Sequence, residues 1–167
     1  MSSIDVAAGD TVHATAIIVG QTGLLFLGPS GSGKSRTAFA CLAEAATIGW
    51  HAALVADDRT RLEVRTGRCI ASCPESIGGL IELRGTGIVP FHRIARALIH
   101  CAVAPTESSG ATRIPAENET LSCGGAAIPL MRLWRDDAMQ PLSMLRAARP
   151  ELFFAPAKRS GTDLAIM

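Results

Sequence analysis

Hydrophobic positions along this chain fall into short runs, and the spacing inside and between the runs predicts distinct elements. Val12 to Val19 is almost unbroken, GQTG interrupts it, and Leu24 to Leu27 continues it, a pattern that predicts two strands joined by a turn. The same interruption, from Gly20 to Gly23, argues against reading ATAIIVGQTGLLFLG as a membrane-crossing helix. KSRTAFACLAEAA has helical composition, and a helix is expected from Ser35 to about Thr47, stopping near Gly49. AALVADD reads as a buried strand that ends on two carboxylates, RLEVRTGRCIAS as a hairpin turning at Thr66 and Gly67, and RALIHCAVAP as one further strand. From Glu107 to Ala126 the Ser, Thr, Gly and Glu content predicts a mobile loop. Pro141 to Ala148 is expected to be a short helix and residues 155–167 a tail without periodicity. The whole, residues 1–167, reads as a single α/β domain without internal repeats.

Composition narrows the possibilities. Sixteen Lys and Arg stand against 15 Asp and Glu, so no global field gathers nucleic acid, and the scarcity of aromatics with no Tyr leaves few platforms for stacking bases. The five cysteines, Cys41, Cys69, Cys73, Cys101 and Cys123, are an odd number without a secretory segment ahead of them, which points to reduced thiols and a cytoplasmic setting. Cys69 and Cys73 form the one close pair, and no second pair completes a zinc site.

The most informative stretch is GPSGSGKS, Gly28 to Ser35, the complete P-loop form G-x-x-x-x-G-K-[ST]. A short apolar strand precedes it and a helix follows, which is the context phosphate binding requires: Gly28, Pro29, Ser30, Gly31, Ser32 and Gly33 would turn successive N–H groups inward. Lys34 would neutralise the β and γ phosphates of ATP and Ser35 would hold Mg²⁺. Asp57 and Asp58 close a predicted strand, where ligands of α/β sheets collect, and should face the same crevice. Glu82 alternates with Ile81 and Leu83 and so points to the opposite face; Arg84 could bind phosphate or pair with Glu82; Gly85 and Gly87 suit a turn. His13, alone on an apolar strand, has by itself the pattern of a structural histidine.

VHA at Val12 to Ala14, LVADDR at Leu54 to Arg59 and IELRGTGIV at Ile81 to Val89, in that order around the P-loop, resemble the catalytic domain of HPr kinase/phosphorylase. The resemblance spans roughly His13 to Val89 and implies a P-loop kinase domain of the HPr kinase and PEP carboxykinase-like type. It also implies ATP with Mg²⁺, a serine of the phosphocarrier HPr as acceptor and a homo-oligomer, in the family a hexamer. It places the general base within the Asp57–Asp58 pair without saying which, makes Glu82 a second Mg²⁺ ligand beside Ser35, and brings His13 into the site.

Arg36 follows Lys-Ser where the family commonly has Glu, and Ala14 follows His13 where the family has Gly. Neither the N-terminal regulatory domain of the long enzymes nor their later Pro-Gly-Arg-Asn loop is found in this sequence, and the corresponding region offers only Arg113, among Thr, Ala and Glu residues, as a candidate anion-binding arginine. A short, catalytic-core form is expected, with serine kinase activity and little phosphorolysis. The alternatives are a small-molecule or nucleotide kinase, and a non-catalytic nucleotide-binding module; the adjacent aspartates speak against the module, and the missing tyrosines speak against a nucleotide kinase.

Overall fold

The apolar stretch around Gly20 folds as a hairpin in this computed structural model, which describes residues 3–74, 79–107, 118–134 and 140–153. Its strands, β3 (Thr15–Val19) and β4 (Thr22–Phe26), pair from Thr15↔Phe26 to Val19↔Thr22, so the turn is Gly20 and Gln21 alone. Gly23 is a strand residue for a steric reason: a Cβ there would lie 1.9 Å from the carbonyl oxygen of Leu98, which crosses directly over it. The strand expected from Val12 to Val19 is in fact two. Thr11–Val12 is a separate strand, β2, belonging to another sheet, and His13 and Ala14 carry the chain between the two sheets.

Two short strands complete the N-terminal half of the large sheet: β1 (Ser3–Val6) at one edge and β5 (Ala52–Ala56) at the other. Helix α1 (Lys34–Thr47) links β4 to β5 and starts one residue before its predicted position. The hairpin β6 (Thr60–Arg65) and β7 (Arg68–Ser72) turns at Thr66 and Gly67 as its sequence predicts. IELRGTGIV forms a further hairpin, β8 (Leu80–Leu83) and β9 (Gly87–Pro90), turning at Arg84 to Thr86.

RALIHCAVAP, expected to be one strand, divides into β10 (Arg96–Leu98) and β11 (Cys101–Thr106). The division follows the hydrogen bonds: Ile99 N–H donates to Cys69 in the small sheet, whereas His100 N–H donates to Gly23 in the large one. The loop expected from Glu107 to Ala126 contains a strand, β12 (Thr120–Cys123), between β1 and β13 (Ala126–Trp134). Leu121 and Cys123 are buried while Thr120 and Ser122 are less so, a two-residue period that outweighs the polar composition. Residues 108–117 of that expected loop, with Arg113, and the expected tail at 155–167 lie outside the described residues. Helix α2 spans Pro141–Ala148 as predicted.

The seven-stranded sheet has the order β1-β12-β13-β11-β4-β3-β5, and a four-stranded antiparallel sheet has the order β10-β7-β6-β2. Alternate residues of the central strands serve two cores. Ile17, Val19, Leu24 and Phe26 pack toward α1 and α2; Ala16, Leu25 and Leu27 pack with Leu62, Cys69 and Ala71 of the small sheet. Because both faces are covered, these strands read as continuous apolar runs in the sequence. The Glu44 carboxylate, late in α1, accepts hydrogen bonds from the Leu142 and Ser143 N–H groups at 3.1 and 3.0 Å, and so caps α2. Arg146 of α2 lies 4.4 Å over the Trp50 ring. The five cysteines are free thiols, and burial pushes Cys69 and Cys101 up to about 12, which keeps them protonated. Among the described residues no helix is long and apolar enough to cross a membrane.

Candidate active site

Strand direction assembles the site. β3 runs opposite to both of its neighbours, so β4 and β5 run the same way with β3 between them. The C-terminal ends of β4 and β5 therefore share one margin of the sheet with the N-terminal end of β3. The first leads into the P-loop, the second into Asp57 and Asp58, and the third begins at Thr15, just after His13.

In the P-loop, Gly31 and Gly33 have φ of 80° and 89°, a region that side-chain-bearing residues rarely adopt, and Gly33 caps α1. No acidic residue occupies the first turn of α1, which leaves its N-terminus attractive to anions. Lys34 is buried, and its ammonium donates to the carbonyls of Gly28 and Pro29, each at 3.0 Å. Burial lowers its pKa, while the charges of Asp58 and Asp57 act in the other direction. Ser32 Oγ is buried without a hydrogen-bond partner among the described residues. An orphaned hydroxyl in a glycine-lined loop fits a ligand that brings polar oxygens.

The adjacent aspartates have different surroundings. The Asp57 carboxylate accepts hydrogen bonds from Ser35 Oγ and Thr15 Oγ1 at 2.7 Å each through Oδ1, and from the Glu82 N–H at 2.9 Å through Oδ2. Asp58 has φ of 64°, and its Oδ1 lies 3.0 Å from His13 Nδ1, both side chains being well exposed (61% and 47%). The left-handed turn at Asp58 is what separates the two carboxylates; Asp is among the few residues that tolerate it.

Glu82, Arg84 and Thr86 bring the β8–β9 hairpin over the loop, and with His13, Lys34 and Asp58 they line an open cleft of about 710 Å³. Arg84 sits at the loop apex: its guanidinium would be 3.4 Å from a Cβ on Gly31. The site residues expected from the sequence thus converge, with Gly28 and Pro29 serving through their carbonyls. Arg36, which departs from the family pattern, also lines the cleft. Thr15, Phe39 and Thr86 are further site residues that sequence reading did not single out; the signal for Thr15 was a polar residue in an otherwise apolar strand.

The oxygen donors fit a hard cation. Ser35 and Glu82 give one hydroxyl and one carboxylate at the cleft, with Asp57 bonded to Ser35, too few to cage a metal and suited to Mg²⁺ that keeps water and phosphate oxygens. Among the described residues no three His, Cys, Asp or Glu side chains converge on a metal position.

The fold is similar to that of the Hpr(Ser) kinase/phosphatase from Coxiella burnetii, with a TM-score of 0.69 over 86% of this chain and 92% of that one at 22% identity. The sequence is 35% identical over 78 residues to the HPr kinase/phosphorylase of Clostridium tetani and 41% identical over 80 residues to that of Caldicellulosiruptor bescii. Each match takes in 47% of this chain and 24% of the relative, so the similarity reaches about a quarter of the length of these proteins. Residues 5–96, which carry the P-loop, both aspartates and the β8–β9 hairpin, match the family described as HPr Serine kinase C-terminal domain, and the chain belongs to that family.

Proposed function

We propose that this chain transfers the γ-phosphoryl group of ATP to a serine hydroxyl of HPr, acting mainly as a kinase. The observation that carries this reading is the division of labour between Asp57, bound to the P-loop serine, and Asp58, exposed in the cleft beside His13. The naming of both sequence relatives as HPr kinase/phosphorylase supports HPr as the acceptor.

In this mechanism the loop N–H groups and Lys34 hold the β and γ phosphates, the ammonium moving from the Gly28 and Pro29 carbonyls to phosphate oxygen. Ser35 and Glu82 would hold Mg²⁺, with Asp57 fixing the Ser35 hydroxyl; the bound cation neutralises phosphate charge. Asp58 takes the proton of the serine hydroxyl as its oxygen bonds to the γ-phosphorus and the bond to ADP breaks. His13, its Nδ1 3.0 Å from Asp58 Oδ1, holds that carboxylate in the cleft. Arg84, above Gly31, stabilises charge on the phosphoryl group in transit. Its place at the loop favours the phosphate role over pairing with Glu82.

The test is incubation with labelled ATP and Mg²⁺ in the presence of HPr, or of small-molecule and nucleotide acceptors, with the product mapped to a residue. Label on a serine of HPr is expected. Label on a small acceptor with none on HPr would replace this reading with the small-molecule kinase, and nucleotide binding without transfer would replace it with the binding module.

A further inference from the structure

Thr15 is wholly buried at the start of β3, yet its hydroxyl reaches the phosphate-binding machinery from below. It donates to Asp57 Oδ1 at 2.7 Å, the same oxygen that accepts from Ser35 Oγ at 2.7 Å, and the two hydroxyl oxygens are 3.5 Å apart. Asp57 Oδ2 is held separately by the Glu82 N–H. The carboxylate thus has one oxygen fixed by a strand and a helix and the other by the β8–β9 hairpin.

We propose that Thr15 is a positioning residue for the divalent cation, acting through Asp57 on Ser35; this rests on the kinase reading above. A serine hydroxyl has one proton and two lone pairs. With the proton committed to Asp57 Oδ1, the lone pairs of Ser35 are left for a cation on the cleft side. That commitment holds only while Oδ1 stays in place, and Thr15 is the donor that fixes it from the side away from the cleft. Without the Thr15 hydroxyl, Oδ1 keeps the Ser35 contact alone, the carboxylate is free to turn about the Glu82 N–H, and the Ser35 proton is no longer directed. Groups that orient a metal ligand in this way commonly contribute about 10- to 100-fold to metal affinity.

A β-branched valine preserves the shape and strand preference of Thr15 opposite Phe26 while removing the donor. The experiment measures binding of a fluorescent ATP analogue as Mg²⁺ is titrated, with wild type, Thr15→Val, Thr15→Ala and Thr15→Ser, and thermal melting shows that each variant is folded. Thr15→Val and Thr15→Ala should raise the Mg²⁺ concentration for half-maximal binding by roughly 10- to 100-fold. Binding of the analogue in the presence of a chelator should stay unchanged, and Thr15→Ser should restore the titration to within about threefold, the distinction a merely structural role would not produce. A folded Thr15→Val or Thr15→Ala protein with the wild-type Mg²⁺ titration overturns the proposal, as does a Thr15→Ser protein as impaired as Thr15→Val. The readout is independent of phosphoryl transfer. Wild-type protein that binds Mg²⁺ and nucleotide but phosphorylates no acceptor removes the kinase reading and leaves this inference to its own titration.

Discussion

Asp57 and Asp58 are neighbours in sequence, but Asp57 Oδ1 lies 2.7 Å from Ser35 Oγ whereas Asp58 Oδ1 lies 3.0 Å from His13 Nδ1. The first belongs to the phosphate loop and the second to the open cleft. Asp58→Asn should therefore lower transfer to HPr by about a hundredfold or more, the usual scale for a general base, with nucleotide affinity retained. Asp57→Asn should instead raise the Mg²⁺ requirement. Steady-state kinetics with varied Mg²⁺ separate the two, and the reverse assignment of effects would move the base to Asp57.

Lys34→Ala removes the ammonium that, in the proposed mechanism, bridges the loop to phosphate. A loss of roughly 10²- to 10³-fold or more in turnover is expected, because the contact strengthens as charge builds on the transferring group. Turnover near the wild-type rate would refute the P-loop assignment.

Glu82→Gln keeps the backbone N–H that binds Asp57 and removes one oxygen charge from the cleft. The Mg²⁺ requirement should rise while ATP binding without metal is unchanged. An unaltered Mg²⁺ titration would make Glu82 a solvent-exposed strand carboxylate and nothing more.

Phosphorolysis requires free phosphate to be held in line with phosphoserine, a task the forward reaction avoids because its phosphate arrives attached to ADP. Arg84 is the arginine seated at the loop apex among the described residues. Pyrophosphate release from phosphorylated HPr at millimolar-scale phosphate should be slow or undetectable beside the forward reaction. Comparable rates in both directions would show that the missing loop is dispensable or that another arginine, Arg84 being the first candidate, has taken over its role.

His100 Nδ1 accepts the Gly23 N–H at 3.0 Å, and its pKa is lowered by burial first and by Arg68 second, with a backbone contact to Leu98 opposing them. The folded protein therefore binds this proton less readily than the unfolded chain, whose histidines titrate near about 6.5. The associated stability is present above that pH and declines as the pH falls from there through the folded value. Melting temperature should drop on acidification from pH 7 to 5, and His100→Asn should flatten the slope; an identical slope in the variant would assign the effect to other groups.

The P-loop and the paired aspartates were legible because their chemistry is local: glycines, a lysine and carboxylates at fixed spacing after apolar runs. The hairpin at Thr66 and Gly67 and both helices were legible for the same reason. Less visible were the points where the chain changes sheets, His13–Ala14 and Ile99–His100, since nothing within those residues says that their hydrogen-bond partners differ. β12 was hidden by polar neighbours, and its partners β1 and β13 lie before and after it in the chain. The hydrogen bond from Thr15 to Asp57 was hidden because threonine is an ordinary strand residue. The separate surroundings of Asp57 and Asp58 depend on a backbone angle at Asp58 and on partners 22 and 42 residues away from Asp57, neither of which is written in the dipeptide.

Helix α1 is anchored at both ends. Its first turn carries Lys34 and Ser35, and nine residues beyond Ser35, roughly 13 Å along the axis, Glu44 is fastened to the N-terminus of α2. Mechanically, the phosphate loop is mounted on a beam held at both ends rather than on a cantilever. Substitutions at that clamp, Glu44 or the Arg146–Trp50 contact, touch no part of the cleft and should act on Ser35 only through the helix. Turnover should therefore respond to substitutions at the far end of α1 as well as to those beside the reacting atoms.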